Sequence, residues 1–514
     1  MIKYFLLAFS FWVNLALAIE PIDLKLKTLY NRLDPTSISQ HLAYYELYQP
    51  HPIAEKALQD AWNLLANSSS QMDGFSQVPF TLAGIQSLTS LVNKPVDQKP
   101  LILDDNTLQA FIRLSEKLPH TQLLGHSVWR EEEVLNLPLD QIDLARGLLI
   151  SQYGENRQLI RSYEALMDLM AVQILARLPK KATQEEKIHQ INFLIFEEMG
   201  FRFPPEAVSI KDIDQYSFLP SVIDSHRGVC LGVSILYLCL AQRLQLPLEM
   251  ITPPGHIYVR FRDGDKIINI ETTARGIHLD SRHYLDVGTC ELQQRTILEV
   301  IGMTYFNQAS VYWQKGNYQE VVKAYEKAKP YMKDDPLLKE LLGYALLITE
   351  KKDEGEFLLN QIKDHSPSYL IVKNTMCEDY FANKVDAEGL KVLFLRADND
   401  RKSILKKKES VEATLKRCPC FRAGIQQLAM IWIQLHRTGE CIETLNRFLE
   451  LDQTDPEVHF YLAILYAQRR HYPKAWHHLM ETEKIVKAKN YEPRVLKDLR
   501  RELVMECPAP MENV

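Results

Sequence analysis

The sequence predicts a mainly α-helical chain with one α+β domain, followed by an α-solenoid of stacked helix pairs. Three observations carry this. Apolar residues recur at helical spacing along most of the 514 residues. One Asp-Gly pair, Asp263-Gly264, stands between two alternating segments, a strong hairpin signal. Small and aromatic residues return at intervals of about 34 in the C-terminal half, the length of a helix-pair repeat.

A chain this long exceeds one hydrophobic core and divides into about three domains. Its 46% apolar and 25% charged residues fit a folded protein throughout. The net charge of −6 offers no basic footprint, which excludes nucleic acid as a partner. Residues 1–18 read as a signal peptide: Lys3 is the only charge, an apolar run follows, and Ala16-Leu17-Ala18 supplies small residues for cleavage. No later segment is long and apolar enough to span a bilayer. The chain is therefore expected to be exported, to the periplasm or the medium of a bacterium. Eight cysteines scattered over this length are too sparse for a disulfide scaffold.

Residues 19–135 read as a helical packing module, broken by loops at Asn67 to Ser70 and Lys94 to Pro100. No charged or His/Cys cluster there suggests chemistry. The α+β domain is expected over 136–298. Its first helix opens at Pro138 and carries Ile142, Leu144, Ala145, Leu148 and Leu149. A second spans Gln158 to Leu178. The third starts at Thr183, with Glu186 completing a capping box, and stops at Gly200.

Ala309, Tyr312, Gly316, Val321, Tyr325 and Ala328 fall at the intervals of a tetratricopeptide helix pair. A shift of about 34 gives Gly343, Leu346, Gly355, Leu359 and Ile362. Ala429, Trp432, Cys441, Leu445 and Phe448 repeat in the same way as Ala463, Tyr466, Ala475 and Leu479. Repeats are thus expected over 299–367 and 421–500, with an irregular helical insert at 368–420 and a tail at 501–514. The lysine run Lys406 to Lys408 reads as a solvated helix face. Stacked repeats form a groove suited to a protein or peptide ligand.

The chemistry concentrates between 224 and 273. Val229 to Leu244 is too long and too uniformly apolar for a strand, and reads as a buried helix ending before Pro247. Cys230 then sits in its first turn, where the helix dipole favours a thiolate. Ile257, Val259 and Phe261 alternate with His256, Tyr258 and Arg260, and Ile268 and Ile270 alternate with Asn269 and Glu271. A two-residue Asp263-Gly264 loop pairs Arg262 with Asp265, Arg260 with Ile267, Tyr258 with Asn269 and His256 with Glu271. Cys230, His256 and Glu271 are the candidate nucleophile, base and orienting acid, with Tyr258 and Asn269 as binding residues. No cofactor is implied. Cys418-Pro419-Cys420 lacks a second ligand pair at zinc spacing, so no metal is expected. His459, His471, His477 and His478 read as repeat-surface residues.

Several motifs together resemble the SirB-type branch of the transglutaminase-like (papain-related) superfamily. They are Phe201, Phe218-Leu219-Pro220, Arg227-Gly228-Val229-Cys230-Leu231-Gly232, Leu236-Tyr237-Leu238, Leu246-Pro247-Leu248, Pro254-Gly255-His256 and Asn269-Ile270-Glu271-Thr272-Thr273. The resemblance covers Asp140 to Cys290 and implies a transglutaminase-like core followed by a tetratricopeptide solenoid. It also implies a Cys-His-Asp triad falling on Cys230, His256 and Glu271, with Glu replacing Asp. Two functions follow: a thiol hydrolase or acyltransferase on protein or peptide amides, or a non-enzymatic scaffold with a vestigial core.

Overall fold

In the computed structural model, which describes residues 22–70, 88–92, 96, 102–205, 215–397 and 400–507, helix starts follow their capping chemistry. The expected signal peptide and the Lys94-Pro95 and Lys99-Pro100 pairs lie outside the described residues. The N-terminal region builds α1 (Ile22–Tyr30), α2 (Ile38–Tyr48), α3 (Pro52–Ser70), α4 (Asp105–Ser115) and the short α5 (Glu131–Leu135). Ser37 caps α2 by accepting the Gln40 amide. The helix α3 runs through Ser70, so the expected loop at Asn67 is helical.

Next come α6 (Leu144–Tyr153) and α7 (Arg157–Arg177). Pro138 does not open α6. A 3-10 turn at Leu139–Gln141 intervenes, and the Asp143 carboxylate accepts the Arg146 amide at 3.2 Å, fixing the start at Leu144. Thr183 and Glu186 close the expected capping box at α8 (Gln184–Asn192). The helix continues as a π turn over Phe193–Glu198, and Gly200 follows at φ +66°.

After α9 (Leu219–Ser225), the chain enters α10 (Cys230–Arg243), the buried helix expected from Val229 onward. Every residue from Leu231 to Ala241 is buried. Its flanks pack on α6, α7 and α9 and on the sheet formed by β1 (Leu248–Thr252), β2 (Tyr258–Asp263), β3 (Lys266–Ile270) and β4 (Gln293–Arg295). The order is β3-β2-β1-β4, antiparallel throughout. Each fully buried Leu or Ile in α10 contributes about 1.5–3 kcal/mol. At its far end Arg243 Nε donates to Asp168 Oδ1 of α7 at 2.7 Å, locking helix to helix.

The hairpin register differs from the expected one by two residues. Val259 faces Ile270, Arg260 faces Asn269 and Asp263 faces Lys266. The loop is therefore Gly264-Asp265, with Gly264 at φ +55° in its first central position. Gly at that position suits the II′ turn, whereas placing Asp263 there would force an L residue into the left-handed region. A slip of two preserves side-chain parity, so the expected faces stand.

The C-terminal half begins with α11 (Ile297–Lys315), α12 (Tyr318–Ala328), α13 (Pro336–Ile348) and α14 (Lys352–Ile362). Three irregular helices follow: α15 (Thr375–Phe381), α16 (Ala387–Phe394) and α17 (Arg401–Arg417). The chain closes with α18 (Arg422–Gln434), α19 (Thr438–Leu449), α20 (Pro456–Gln468), α21 (Tyr472–Lys487) and α22 (Arg494–Glu506). Tyr318 and Lys352 open second helices about 34 residues apart, as do Thr438 and Tyr472. Small residues stand where paired helices touch: a Cβ on Gly355 would lie 2.8 Å from the Gly343 carbonyl. The fold is mainly α with one α+β domain, followed by a solenoid of stacked helix pairs. No described helix is long and apolar enough to cross a membrane.

Two surface readings change. Lys408 pairs with Glu412 and lies over the Trp432 ring, so the lysine run is only partly solvated. His459 and His478 are buried, with their Nδ1 atoms 3.0 Å apart. His459 Nε2 donates to the Gln453 carbonyl at 3.1 Å, which leaves His459 Nδ1 to accept from His478 Nδ1. Burial lowers the His478 pKa to about 4, keeping that ring neutral.

Candidate active site

Cys230 is the first residue of α10, half-buried, behind an N-cap residue, Val229, that offers no side-chain cap. The opening amides have no intrahelical acceptors and direct the positive end of the helix dipole at the thiol. The approaching backbone is pinned. Arg202 N donates to the His226 carbonyl at 3.1 Å, Gly228 N to the Arg202 carbonyl at 3.2 Å, and Val229 N to the Tyr216 carbonyl at 3.2 Å. His226 stacks on Phe201 at 4.4 Å, and its Nδ1 donates to the Met199 carbonyl. Gly232 makes this approach possible: a Cβ there would sit 2.1 Å from the Tyr216 carbonyl oxygen.

His256 lies just before β2, in a turn where its amide donates to the Pro253 carbonyl and Gly255 takes φ +70°. Glu271 directly follows β3. Continuing the observed register puts Tyr258 opposite Glu271, so His256 is its diagonal neighbour. A diagonal gap of about 7–8 Å between backbones suits the longer reach of Glu over Asp. His256 Nε2 accordingly donates to Glu271 Oε2 at 2.8 Å. The other carboxylate oxygen accepts the Tyr284 hydroxyl. Glu271 is 3% exposed, so both oxygens are fixed inside the protein.

Tyr284 also stacks on His256 (5.8 Å, 14°) and on Tyr258 (4.6 Å, 21°). Burial and the Glu271 carboxylate push its pKa well above the usual phenol range. It arrives on a 3-10 turn, Ser281–Tyr284, with no periodic signal in the sequence to mark it.

The His256 pKa is pushed up to about 9. Hydrogen bonding with the Cys230 side chain is the largest cause and hydrogen bonding with Glu271 the second, against burial that opposes them. His256 and Glu271 are thus joined by a hydrogen bond, and Cys230 stands near enough to His256 to raise its pKa. Since Nε2 is taken by Glu271, Nδ1 is the nitrogen left for proton exchange with the thiol. An imidazolium held charged at neutral pH is the partner a thiolate needs.

Tyr258 and Asn269 are fully buried, and their polar atoms are used internally. Arg260 Nη2 donates to the Tyr258 hydroxyl at 2.7 Å, and Arg260 Nε to Asn269 Oδ1 at 3.0 Å. Asn269 Nδ2 donates to the Leu279 carbonyl and to Ser281 Oγ, holding the segment that delivers Tyr284. A second tie was invisible in the motif. Ser234 of α10 and Thr272 exchange a hydrogen bond at 3.0 Å, and the Thr272 hydroxyl lies 3.5 Å from the Cys230 carbonyl. The strand end that bears Glu271 is thereby docked on the helix start that bears Cys230.

All eight cysteines are free, including Cys418 and the exposed Cys420. One described group has metal-ligand spacing, His120, His126 and Asp143; the two histidines lie in the region from which no chemistry was expected and Asp143 just beyond it. Distance along the chain hid it: Asp143 stands on the far side of α5 and a 3-10 turn.

No curated protein sequence matches the chain. Among solved structures, similarity extends to TTC0263, a thermophilic TPR protein of Thermus thermophilus. It is 16% identical, with 40% of this chain and 98% of that one covered and a TM-score of 0.21. MamA MSR-1 is 19% identical over 36% of this chain and 97% of its own, with a TM-score of 0.19. Menin, in a structure reported to reveal its binding site for the Mixed Lineage Leukemia protein, is 15% identical over 78% and 99%, with a TM-score of 0.34. Residues 161–296, which include Cys230, His256, Glu271 and Tyr284, match the family model of the transglutaminase-like superfamily.

Proposed function

We propose that the chain is an exported, SirB-type transglutaminase-like protein that acts as a thiol hydrolase or acyltransferase on protein or peptide amides. The observation that carries this is His256, bonded through Nε2 at 2.8 Å to the buried Glu271 and set beside Cys230. In the proposed reaction the Cys230 thiolate attacks the carbonyl carbon, and the amides at the start of α10 stabilise the oxyanion. The imidazolium gives its proton to the departing amine, leaving a thioester on Cys230. Water or a second amine, losing its proton to His256, then attacks the thioester and releases the thiol. Glu271, clamped by Tyr284, keeps the ring oriented and stabilises its charged form. Tyr258 and Asn269 act as positioning residues.

The repeats supply the partner-binding half of the proposal. A cavity of about 610 Å³ opens between α12, α13 and α14, floored by Leu338, Leu342 and Leu346. Phe357 stands 66% exposed at its edge, and Lys329, Lys333 and Lys339 rim it. Glu326, Asp353 and Glu354 share that rim, so an extended segment with an apolar anchor flanked by both charge signs fits that chemistry. The same cavity favours the second reading, a scaffold that recruits partners without turning anything over.

Alkylation of Cys230 resolved by pH separates the two, with Cys230→Ser subtracting the other thiols. The enzyme reading expects rapid alkylation of Cys230 that slows sharply in His256→Ala. A Cys230 that reacts as an ordinary thiol, unchanged by His256→Ala, would leave the scaffold.

A further inference from the structure

We infer that His120, His126 and Asp143 form a binding site for a divalent transition metal of the zinc class, separate from the Cys230 site. His120 sits in a 3-10 turn at Pro119–Gln122, His126 in the next at Leu124–Ser127, and Asp143 at the N-cap of α6. One ligand atom from each lies within 4.8 Å of the others. Ligands bound tetrahedrally at about 2.0–2.1 Å stand about 3.4 Å apart, so modest rotations close the set on one ion.

The strongest argument is His120 itself. It is 1% exposed, and its Nδ1 has no hydrogen-bond partner. A buried ring nitrogen with no hydrogen-bond partner is uncommon. Its Nε2 stands 3.3 Å from Asp168 Oδ1, which also accepts Arg243 Nε at 2.7 Å, so Asp168 faces that side of the ring and Nδ1 is the nitrogen without a partner. His120 packs edge-on against His126 at 5.1 Å. Asp143 Oδ1 accepts the Arg146 amide, and Oδ2 accepts from His126 Nδ1 at 3.0 Å, a hydrogen bond that a shared metal ion would replace.

The backbone is built for a tight cluster there. Gly125 lets the His126 turn approach α6: a Cβ would fall 2.4 Å from the Asp143 amide nitrogen. Asp143, Glu164 and Asp168 are buried carboxylates, opposed by two buried guanidiniums, Arg146 and Arg243. Beside the cluster lies a cavity of about 470 Å³ lined by His126, Trp129, Arg146, Glu164 and Asp168. Three protein ligands with an open fourth position toward that cavity would hold a water or a small anion.

The test uses the full-length chain, stripped with a chelator and titrated with Zn²⁺ alone and then with Co²⁺. The expected results are one equivalent of tightly bound Zn²⁺, a rise in melting temperature with excess Zn²⁺, and a Co²⁺ spectrum free of thiolate charge transfer. His126→Gln keeps a polar side chain at the half-buried position, and should lower Zn²⁺ affinity about tenfold or more. The Co²⁺ spectrum of the wild type decides the matter even if that variant does not fold. Three results would overturn the site: no Zn²⁺ uptake by folded protein, undiminished affinity in His126→Gln, or thiolate charge transfer that moves the metal to a cysteine such as Cys418 or Cys420.

Discussion

His256 takes its character from two neighbours, and its titration reports both. Its folded pKa, about 9, lies above the ordinary 6.5. The folded state therefore holds a proton that the unfolded chain releases between those values. The resulting stabilisation is complete below about pH 6.5 and is lost as pH rises through about 9. Because hydrogen bonding with Cys230 is the largest cause, Cys230→Ala should lower the His256 pKa more than Glu271→Gln does, and both should move it toward 6.5. Ring-proton NMR titration of the three proteins measures this ordering. A His256 that still titrates near 9 in Cys230→Ala would mean that the thiol is not its main partner.

At the scale of elements, the site depends on how closely α10 can meet the segment before α9. Gly232 marks the contact, with the Tyr216 carbonyl where a Cβ would go. Gly232→Ala must push backbone against backbone, and overpacking of this kind costs about 1–3 kcal/mol. Urea denaturation should show that loss, accompanied by slower Cys230 alkylation because the helix start moves; unchanged stability would mean the loop yields freely. Helices of this kind were legible from sequence because their signals are local: the Thr183–Glu186 box and the uniform apolar run after Cys230 each define an element alone. The hairpin was legible in its faces and not in its register, since parity follows from alternation, whereas the turn follows from which residue can take φ +55°. Tyr284 and the His120–His126–Asp143 group were not legible. Each is brought into place by a 3-10 turn, and no periodicity records where such a turn leads.

Across the whole molecule, the α+β domain and the solenoid are joined by polar contacts. Arg295 of β4 reaches Thr252 in β1 and Asp335, which caps α13 through the Leu338 amide. The segment after Asp286 pairs with the repeat insert: Cys290 N donates to the Tyr369 carbonyl, and Ile371 N to the Gly288 carbonyl. At this junction the α20 residue Glu457 packs against Gly288 so tightly that a Cβ there would lie 2.2 Å from its Oε1. Burial raises the Glu457 pKa to about 7, helped by the negative charges of Asp455 and Asp286. A carboxyl whose folded pKa exceeds its ordinary 4.5 binds its proton more tightly in the folded state. Stability at the junction is therefore full below about pH 4.5 and falls as pH rises through about 7. Glu457→Gln keeps the shape without the charge, so it should match wild type in acid and exceed it by about 1–3 kcal/mol above pH 8. The difference in melting temperature between the two proteins, followed from pH 4 to pH 9, isolates this group from every other titration. A difference that stays flat across neutrality would show that Glu457 reaches solvent when it ionises, and that the junction opens at little cost.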